Sequence, residues 1–285
     1  MNKPEALIVG INSFLGKAIY ELIKDNYTVA GIYHKNVECV PGAVEAIPVS
    51  SIDNFRVRNF TTVYLVSAYV PAGGLQESDE NLISGNILLP QKISSLFPQS
   101  RIIFCSSVSV YENAPAESLI SNSDTTAPWS KYALSKLWGE RIIEKHSSYA
   151  IIRISSMYGE GMKKTTFLPK IIESAIRNGT INLLGSGERR QNYIHVNDVA
   201  EIAVKAAGIL ANITLLAVSD KSYSNTDIAE IISEITLCEV TYSGNDASRS
   251  YLYNNSETHE RLGRLDLKNI KEGLRELVEW MKKEF

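Results

Sequence analysis

Residues 6–33 constrain the fold of this chain most. Ala6-Leu7-Ile8-Val9 is a short apolar run that reads as a buried strand, and it passes directly into Gly10-Ile11-Asn12-Ser13-Phe14-Leu15-Gly16. Leu15, Ile19, Leu22 and Ile23 then recur at helical spacing through residues 14–26, and residues 27–33 read as a second strand. Strand, tight turn, helix and strand make one βαβ unit, the building block of a parallel sheet. A turn of small residues lets backbone N–H groups approach a phosphate, and the start of the following helix favours negative charge. Two glycines alone would serve a purely structural turn equally well.

The alternation continues. Residues 62–68, 101–105 and 149–154 read as strands, and residues 78–96 and 132–145 as helices. This is an α/β pattern, with a doubly wound parallel sheet covered on both faces. Past residue 154 the pattern loosens, with helices expected at 167–178, 196–209, 226–235 and 267–283. There is no internal repeat and no low-complexity linker. Residues 1–155 therefore form the expected sheet domain, with 188–210 returning to it. Residues 156–187 and 211–285 form a smaller, C-terminal lobe.

Composition excludes several classes of function. A net charge of −3 provides no basic stripe for nucleic acid. Cys39, Cys105 and Cys238 lie too far apart for a disulfide framework or a zinc site, which fits a reducing compartment. The apolar run at 6–10 is too short for a signal-peptide core, and no stretch is long enough to span a bilayer. A cytoplasmic protein with no nucleic-acid or membrane partner and no metal is expected.

Two further features carry chemistry. The second strand ends in Tyr33-His34-Lys35-Asn36, with no carboxylate to accept hydrogen bonds from an adenosine ribose. Lys35 and His34 would instead pair with a 2′-phosphate, unless Lys35 is simply a solvated surface lysine. Tyr132-Ala133-Leu134-Ser135-Lys136 sets a phenol and an ammonium one helical turn apart on one face. A nearby ammonium lowers a phenol's pKa and lets it exchange a proton near neutral pH. In a chain with 14 tyrosines such spacing also arises by chance. Tyr20 and Lys24 are a second instance, read as surface.

What separates Tyr132 from Tyr20 is its company. Residues 101–105 run into Ser106-Ser107-Val108-Ser109-Val110-Tyr111, and Asn86 lies on the preceding helix. Downstream come Arg153-Ile154-Ser155-Ser156-Met157-Tyr158-Gly159 and a stretch from Leu184 through Gly185-Ser186-Gly187 and Arg189-Arg190-Gln191-Asn192-Tyr193-Ile194-His195-Val196-Asn197-Asp198-Val199-Ala200. Over about residues 6–235 these segments resemble the extended short-chain dehydrogenase/reductases, the NAD(P)-dependent epimerase/dehydratase family that acts on nucleotide sugars. Ser13 stands where that family has the middle glycine of its loop, Ser156 where it has Asn, and Gln191 where many members have a phosphate-binding Arg.

The resemblance implies a Rossmann-type sheet with a substrate lobe, and catalysis by Ser107, Tyr132 and Lys136. Ser107 would polarise the reacting oxygen, Tyr132 would move its proton, and Lys136 would hold the nicotinamide ribose and lower the phenol's pKa. The cofactor is expected against Gly10, Ser13, Phe14, Leu15, Gly16, His34, Lys35, Val66, Ser67, Ala68, Asn86, Tyr132 and Lys136. Asn86 would brace the site. The substrate is expected against Ser107, Tyr132, Ser156 and Arg190, with Arg189 as the alternative to Arg190 for its phosphate, and with His195 and Asp198 structural, Asp198 capping or bracing its own helix.

The family's 4,6-dehydratases carry Asp-Glu where this chain has Val108-Ser109, so dehydration is disfavoured. Lys35 and the short lobe favour NADP(H), with NAD(H) possible, and an NADPH-dependent reductase of a nucleotide-diphosphate 4-keto(-6-deoxy) sugar. The alternatives are a nucleotide-sugar 4-epimerase with tightly bound NAD and a non-catalytic NADP(H)-binding scaffold or sensor. Relatives also imply a homodimer through residues 78–96 and 132–145. Leu82, Ile87, Leu137 and Ile142 would then serve core or partner.

Overall fold

The computed structural model describes residues 3–42, 44–71, 78–115 and 117–284. In chain order, β1 (Glu5–Val9), α1 (Phe14–Ile23), β2 (Thr28–Tyr33), β3 (Glu45–Pro48) and β4 (Thr62–Leu65) come first. Next are α2 (Asp79–Ile83), a π-helical turn at Ser84–Leu88, and α3 (Leu89–Leu96). Residues 78–96, expected as one helix, are thus interrupted by that wider turn. β5 (Arg101–Ser107) ends in a 3-10 turn at Val108–Tyr111, followed by β6 (Leu119–Ile120), α4 (Lys131–Ile143), β7 (Tyr149–Ile154) and β8 (Ser156–Tyr158). The remainder is α5 (Phe167–Asn178), β9 (Thr180–Leu184), β10 (Arg190–His195), α6 (Val196–Ala207), β11 (Ile213–Ala217), β12 (Ser222–Ser224), α7 (Asn225–Thr236), β13 (Glu239–Ser243), β14 (Leu252–Tyr253), α8 (Ser256–Leu262) and α9 (Ile270–Lys283).

Seven strands form one parallel sheet in the order β11-β7-β5-β4-β1-β2-β3. The order reverses direction between β1 and β4, which opens a crevice at the carboxyl ends of those strands. Strand alternation builds both faces. Ala6 and Ile8 pack with Ile19, Ile103 and Ala203 beneath α1 and α6, while Leu7 and Val9 pack with Ile93, Phe104 and Ile143 beneath α3 and α4. Each fully buried Leu, Ile, Val or Phe side chain among these contributes about 1.5–3 kcal/mol relative to exposure. A second core joins α5, α7 and α9 through Leu168, Ile172, Ile228, Ile232, Leu274 and Leu277.

The boundary expected from sequence moves in two places. Ile213–Ala217, expected in the lobe, is the edge strand of the large sheet, paired with β7 from Ala150 to Ile154. Arg190–His195, expected with the sheet domain, instead lies between β8 and β12 in a separate three-stranded sheet. Leu82, one of the residues expected to serve core or partner, is only 3% exposed and belongs to the core. Ile87, Leu137 and Ile142 are partly buried. Among the described residues, no helix is long and apolar enough to cross a membrane.

Candidate active site

The crevice beside β1 is a cavity of about 380 Å³, lined by Gly10, Tyr33, His34, Ser67, Ala68 and Tyr69 among others. Gly10 has φ +98°, and a Cβ there would stand 3.0 Å from the Ser67 backbone nitrogen. At Gly16 a Cβ would lie 2.1 Å from the Gly10 carbonyl oxygen, so α1 packs directly on the turn. Ser13 is the N-cap of α1, its hydroxyl accepting the Gly16 N–H at 3.0 Å. A serine thus replaces a glycine usefully here, satisfying one of the unpaired N–H groups at the helix start. This cradle of bare backbone, opening beside a helix N-terminus, fits the pyrophosphate of a dinucleotide.

The groove residues expected from sequence divide between core and wall. Leu15 is 2% exposed and belongs to the core, and Phe14 packs against both cores, which leaves their backbone, the part the sequence pattern set against a phosphate, at the turn. Val66 likewise packs on the core, leaving Ser67 and Ala68 on the groove wall. Lys35 is exposed and is not among the lining residues, whereas His34 is. The Asn12 side-chain amide donates to the carbonyls of Lys35 (2.5 Å) and Asn36 (3.2 Å) and fixes the turn after β2.

The catalytic candidates stand at the end of β5 and the start of α4. Ser107 closes β5; its hydroxyl accepts the Ser109 N–H and donates to the Ser109 hydroxyl, both at 3.1 Å, and it is near enough to the Tyr132 phenol to draw its pKa down. Tyr132 occupies the first turn of α4, whose N-cap Ser130 accepts the Ala133 N–H at 3.1 Å. Tyr132 as a residue is only partly buried, but the protein packed around its oxygen pushes its pKa up to about 12. The Ser107 hydrogen bond opposes that rise and the Glu112 charge adds to it.

Lys136, one turn further on, is 1% exposed. Its ammonium donates to the Cys105 carbonyl at 2.6 Å and sits 4.4 Å from the centre of the Phe104 ring. Burial lowers its pKa to about 8, against the raising effects of Cys105 and Glu140. The sequence expectation was that Lys136 draws the phenol's pKa down. Here the ammonium is spent on the strand carbonyl, and Ser107 is the group that draws the phenol down.

Two braces hold this arrangement. The Asn86 side chain bonds both the N–H and the carbonyl of Tyr69 (2.8 and 3.0 Å) and donates to the Ser135 hydroxyl at 2.9 Å, tying the groove wall to α4. It projects from the π-helical turn, a feature often found at functional sites. Glu140, on the same helix as Lys136, accepts from Ser106 (2.5 Å) and pairs with Arg153 at 2.7 Å.

A second cavity has a volume of about 360 Å³. Val108, Ser109, Glu112, Ser155, Ser156, Arg189, Gln191, Asn192 and residues of the segment 248–253 line it. Ser156 is on this wall as expected. Arg190 is not. Around the start of β10 the chain alternates, so Arg189 and Gln191 face the cavity while Arg190 turns to the Ser222 carbonyl at 3.4 Å. Gln191 presents a buried Nε2 with no hydrogen-bond partner among the described residues. Arg249 and Tyr251, which sequence reading did not single out, also line this cavity and reach the Glu112 carbonyl at 3.4 and 2.9 Å. Two guanidinium groups in one cavity suit a diphosphate.

His195 is 6% exposed, stacks edge-on against Tyr158 and caps α6, with burial holding its pKa below the ordinary value. Asp198 does not cap its own helix. It accepts the Lys268 N–H at 3.0 Å and braces the segment before α9, and burial raises its pKa to about 6.

The sequence model of the NAD dependent epimerase/dehydratase family matches residues 6–213. This chain belongs to that family. A putative UDP-glucose 4-epimerase from Methanocaldococcus jannaschii is 26% identical over 300 residues, covering 97% of this chain and 98% of that one. The GDP-6-deoxy-D-talose 4-dehydrogenase of Aggregatibacter actinomycetemcomitans is 20% identical over 245 residues, covering 84% and 83%. Among solved structures, MoeE5 in complex with UDP-glucose and NAD superposes with a TM-score of 0.86 at 20% identity, covering 98% of this chain and 99% of that one. The sheet order and the Gly10 turn are those of an enzyme of this Rossmann-type, nucleotide-sugar family.

Proposed function

We propose that this protein is a nucleotide-sugar 4-epimerase working with NAD(H), with the nucleotide diphosphate in the cavity of Arg189, Gln191 and Arg249. The observation that carries this reading is the position of the Ser107–Tyr132 pair. Ser107 closes β5 directly before Val108 and Ser109 on the wall of the basic cavity, and β5 pairs with β4, the strand that leads into Ser67 and Ala68 on the wall of the Gly10 groove. End-to-end likeness to a putative 4-epimerase supports epimerisation over simple reduction.

A bound nicotinamide supplies the hydride acceptor and donor for chemistry at C4. The chain's own residues handle the oxygen and its proton. Ser107 hydrogen-bonds the C4 oxygen and holds it toward the phenol. Tyr132, with its pKa near 12, stands protonated at neutral pH and is ready to donate. To accept a proton in the other direction its pKa must fall. Lys136, one turn away and itself lowered to about 8, is the cation that can act on it once its bond to the Cys105 carbonyl loosens.

A second reading, reduction of a nucleotide-linked 4-keto sugar with NADPH, is favoured by the absence of a carboxylate at residues 33–36 and by the 4-dehydrogenase relative. The test is a panel of UDP-, GDP- and dTDP-hexoses incubated with NAD, with C4 inversion followed by proton NMR. Inversion supports the epimerase. Consumption of NADPH with a 4-keto sugar and no inversion supports the reductase. Ile83, Leu134 and Trp138, all about half-exposed or more, extend the face of α2 and α4 on which we place a homodimer partner.

A further inference from the structure

Glu112 stands outside the Ser107, Tyr132 and Lys136 set, yet it touches both the start of α4 and two residues of the basic cavity. It follows directly on the 3-10 turn that Ser107 caps and lies on the wall of the basic cavity. Its carboxylate reaches the start of α4. Oε2 accepts the backbone N–H groups of Trp129 at 3.1 Å and Ser130 at 2.7 Å, and Oε1 accepts the Ser130 hydroxyl at 2.8 Å. Ser130 is itself the N-cap, so one carboxylate fixes the first turn of the helix on which Tyr132 sits. Negative charge suits this place, because the N–H groups at a helix start are unpaired and carry partial positive charge. On its other side, the Glu112 carbonyl accepts the Tyr251 hydroxyl and an Arg249 guanidinium N–H.

Building on the nucleotide-sugar reading above, we propose that Glu112 is a positioning residue that holds the Tyr132 end of α4 in register with the Ser107 turn and with Arg249 and Tyr251. A helix cap acting alone would contribute stability and nothing else. This one joins the turn that begins at Ser107 to the first turn of the helix that carries Tyr132. Ser107 stands five residues before Glu112, and Tyr132 stands two residues after the Ser130 that Glu112 grips. If the grip is lost, the phenol moves relative to the hydroxyl that reaches it. Misplacement of a reacting group by about 1 Å costs on the order of 10²-fold in rate.

The test compares wild type with Glu112→Ala and Glu112→Gln, using whichever nucleotide sugar wild type turns over. Glu112→Ala should lower kcat on the order of 10–10²-fold with KM nearly unchanged. Glu112→Gln keeps a carbonyl oxygen able to accept both backbone N–H groups, and it should recover most of that loss. Amide exchange on the ligand-free protein gives a reading independent of turnover: Glu112→Ala should speed exchange at residues 129–133 and leave 14–23 unchanged. A folded Glu112→Ala protein with wild-type kcat, a loss confined to KM, or unchanged exchange at 129–133 would overturn the proposal. If wild type turns over no nucleotide sugar, the epimerase reading fails instead, and unchanged exchange at 129–133 still overturns the Glu112 proposal.

Discussion

The Lys136 ammonium donates to the Cys105 carbonyl at 2.6 Å, inside a site where the lysine is 1% exposed. A buried lysine lowered from 10.5 to about 8 has a sign to its pH dependence. Between those values the unfolded chain binds the proton and the folded chain does not, so the lysine costs stability below pH 8 and progressively less toward pH 10.5. Lys136→Met removes the titration. The stability of wild type relative to Lys136→Met should therefore rise between about pH 8 and 10.5, measured by urea unfolding at each pH. A flat difference across that window would contradict the buried, strained ammonium.

The ion pair behind it makes a second prediction. Glu140 and Arg153 have side-chain exposures of 0% and 6%. Glu140→Gln leaves the guanidinium buried and uncompensated, which costs about 3–5 kcal/mol when one partner of such a pair is removed. Chemical denaturation should show a loss of that size. A loss under about 1 kcal/mol would place the pair in the solvent-screened class.

Cofactor choice gives a third. With Lys35 off the groove wall and His34 on it, Lys35→Glu should leave the ratio of NADPH to NADH affinity close to wild type. His34→Asp should shift it toward NADH, by placing a carboxylate where ribose hydroxyls can donate. Titration of both reduced cofactors at fixed ionic strength decides this. A large reversal in Lys35→Glu would restore the lysine as the determinant.

The legible part of this molecule was the part encoded by local periodicity. The unbroken apolar run Ala6–Val9 and the helical spacing of Leu15, Ile19 and Ile23 placed the first strand and the helix after it, and the four-residue spacing of Tyr132 and Lys136 put both on α4. What was missed depends on contacts between distant segments. Glu112 meets Ser130 across 18 residues and Tyr251 across 139, and no local pattern encodes either. Ile213–Ala217 is a five-residue apolar strand, but its place at the sheet edge is fixed by β7, some 60 residues earlier. Arg190 was preferred to Arg189 because the face that β10 shows the cavity depends on its register with β8 and β12. The π-helical turn around Asn86 left no mark in the spacing of apolar residues.

Assembly gives a fourth prediction. Trp138 is 63% exposed and Leu134 51%, one turn apart on α4. In a dimer through this face, Trp138→Glu should yield a folded monomer by light scattering at micromolar concentration, where wild type is dimeric. A wild-type monomer would remove the proposed partner.

The central claim is that Tyr132 carries the proton at C4 of a nucleotide sugar, against Ser107. It is tested most directly by following C4 inversion by proton NMR in wild type and Tyr132→Phe with NAD present, with Tyr20→Phe as control. Tyr132→Phe removes only the hydroxyl and leaves the ring in place, so the variant should fold and bind NAD as wild type does. Its inversion rate should fall on the order of 10²–10⁴-fold, the size of general acid–base help, while Tyr20→Phe stays near wild type. Inversion by Tyr132→Phe at the wild-type rate would contradict the account.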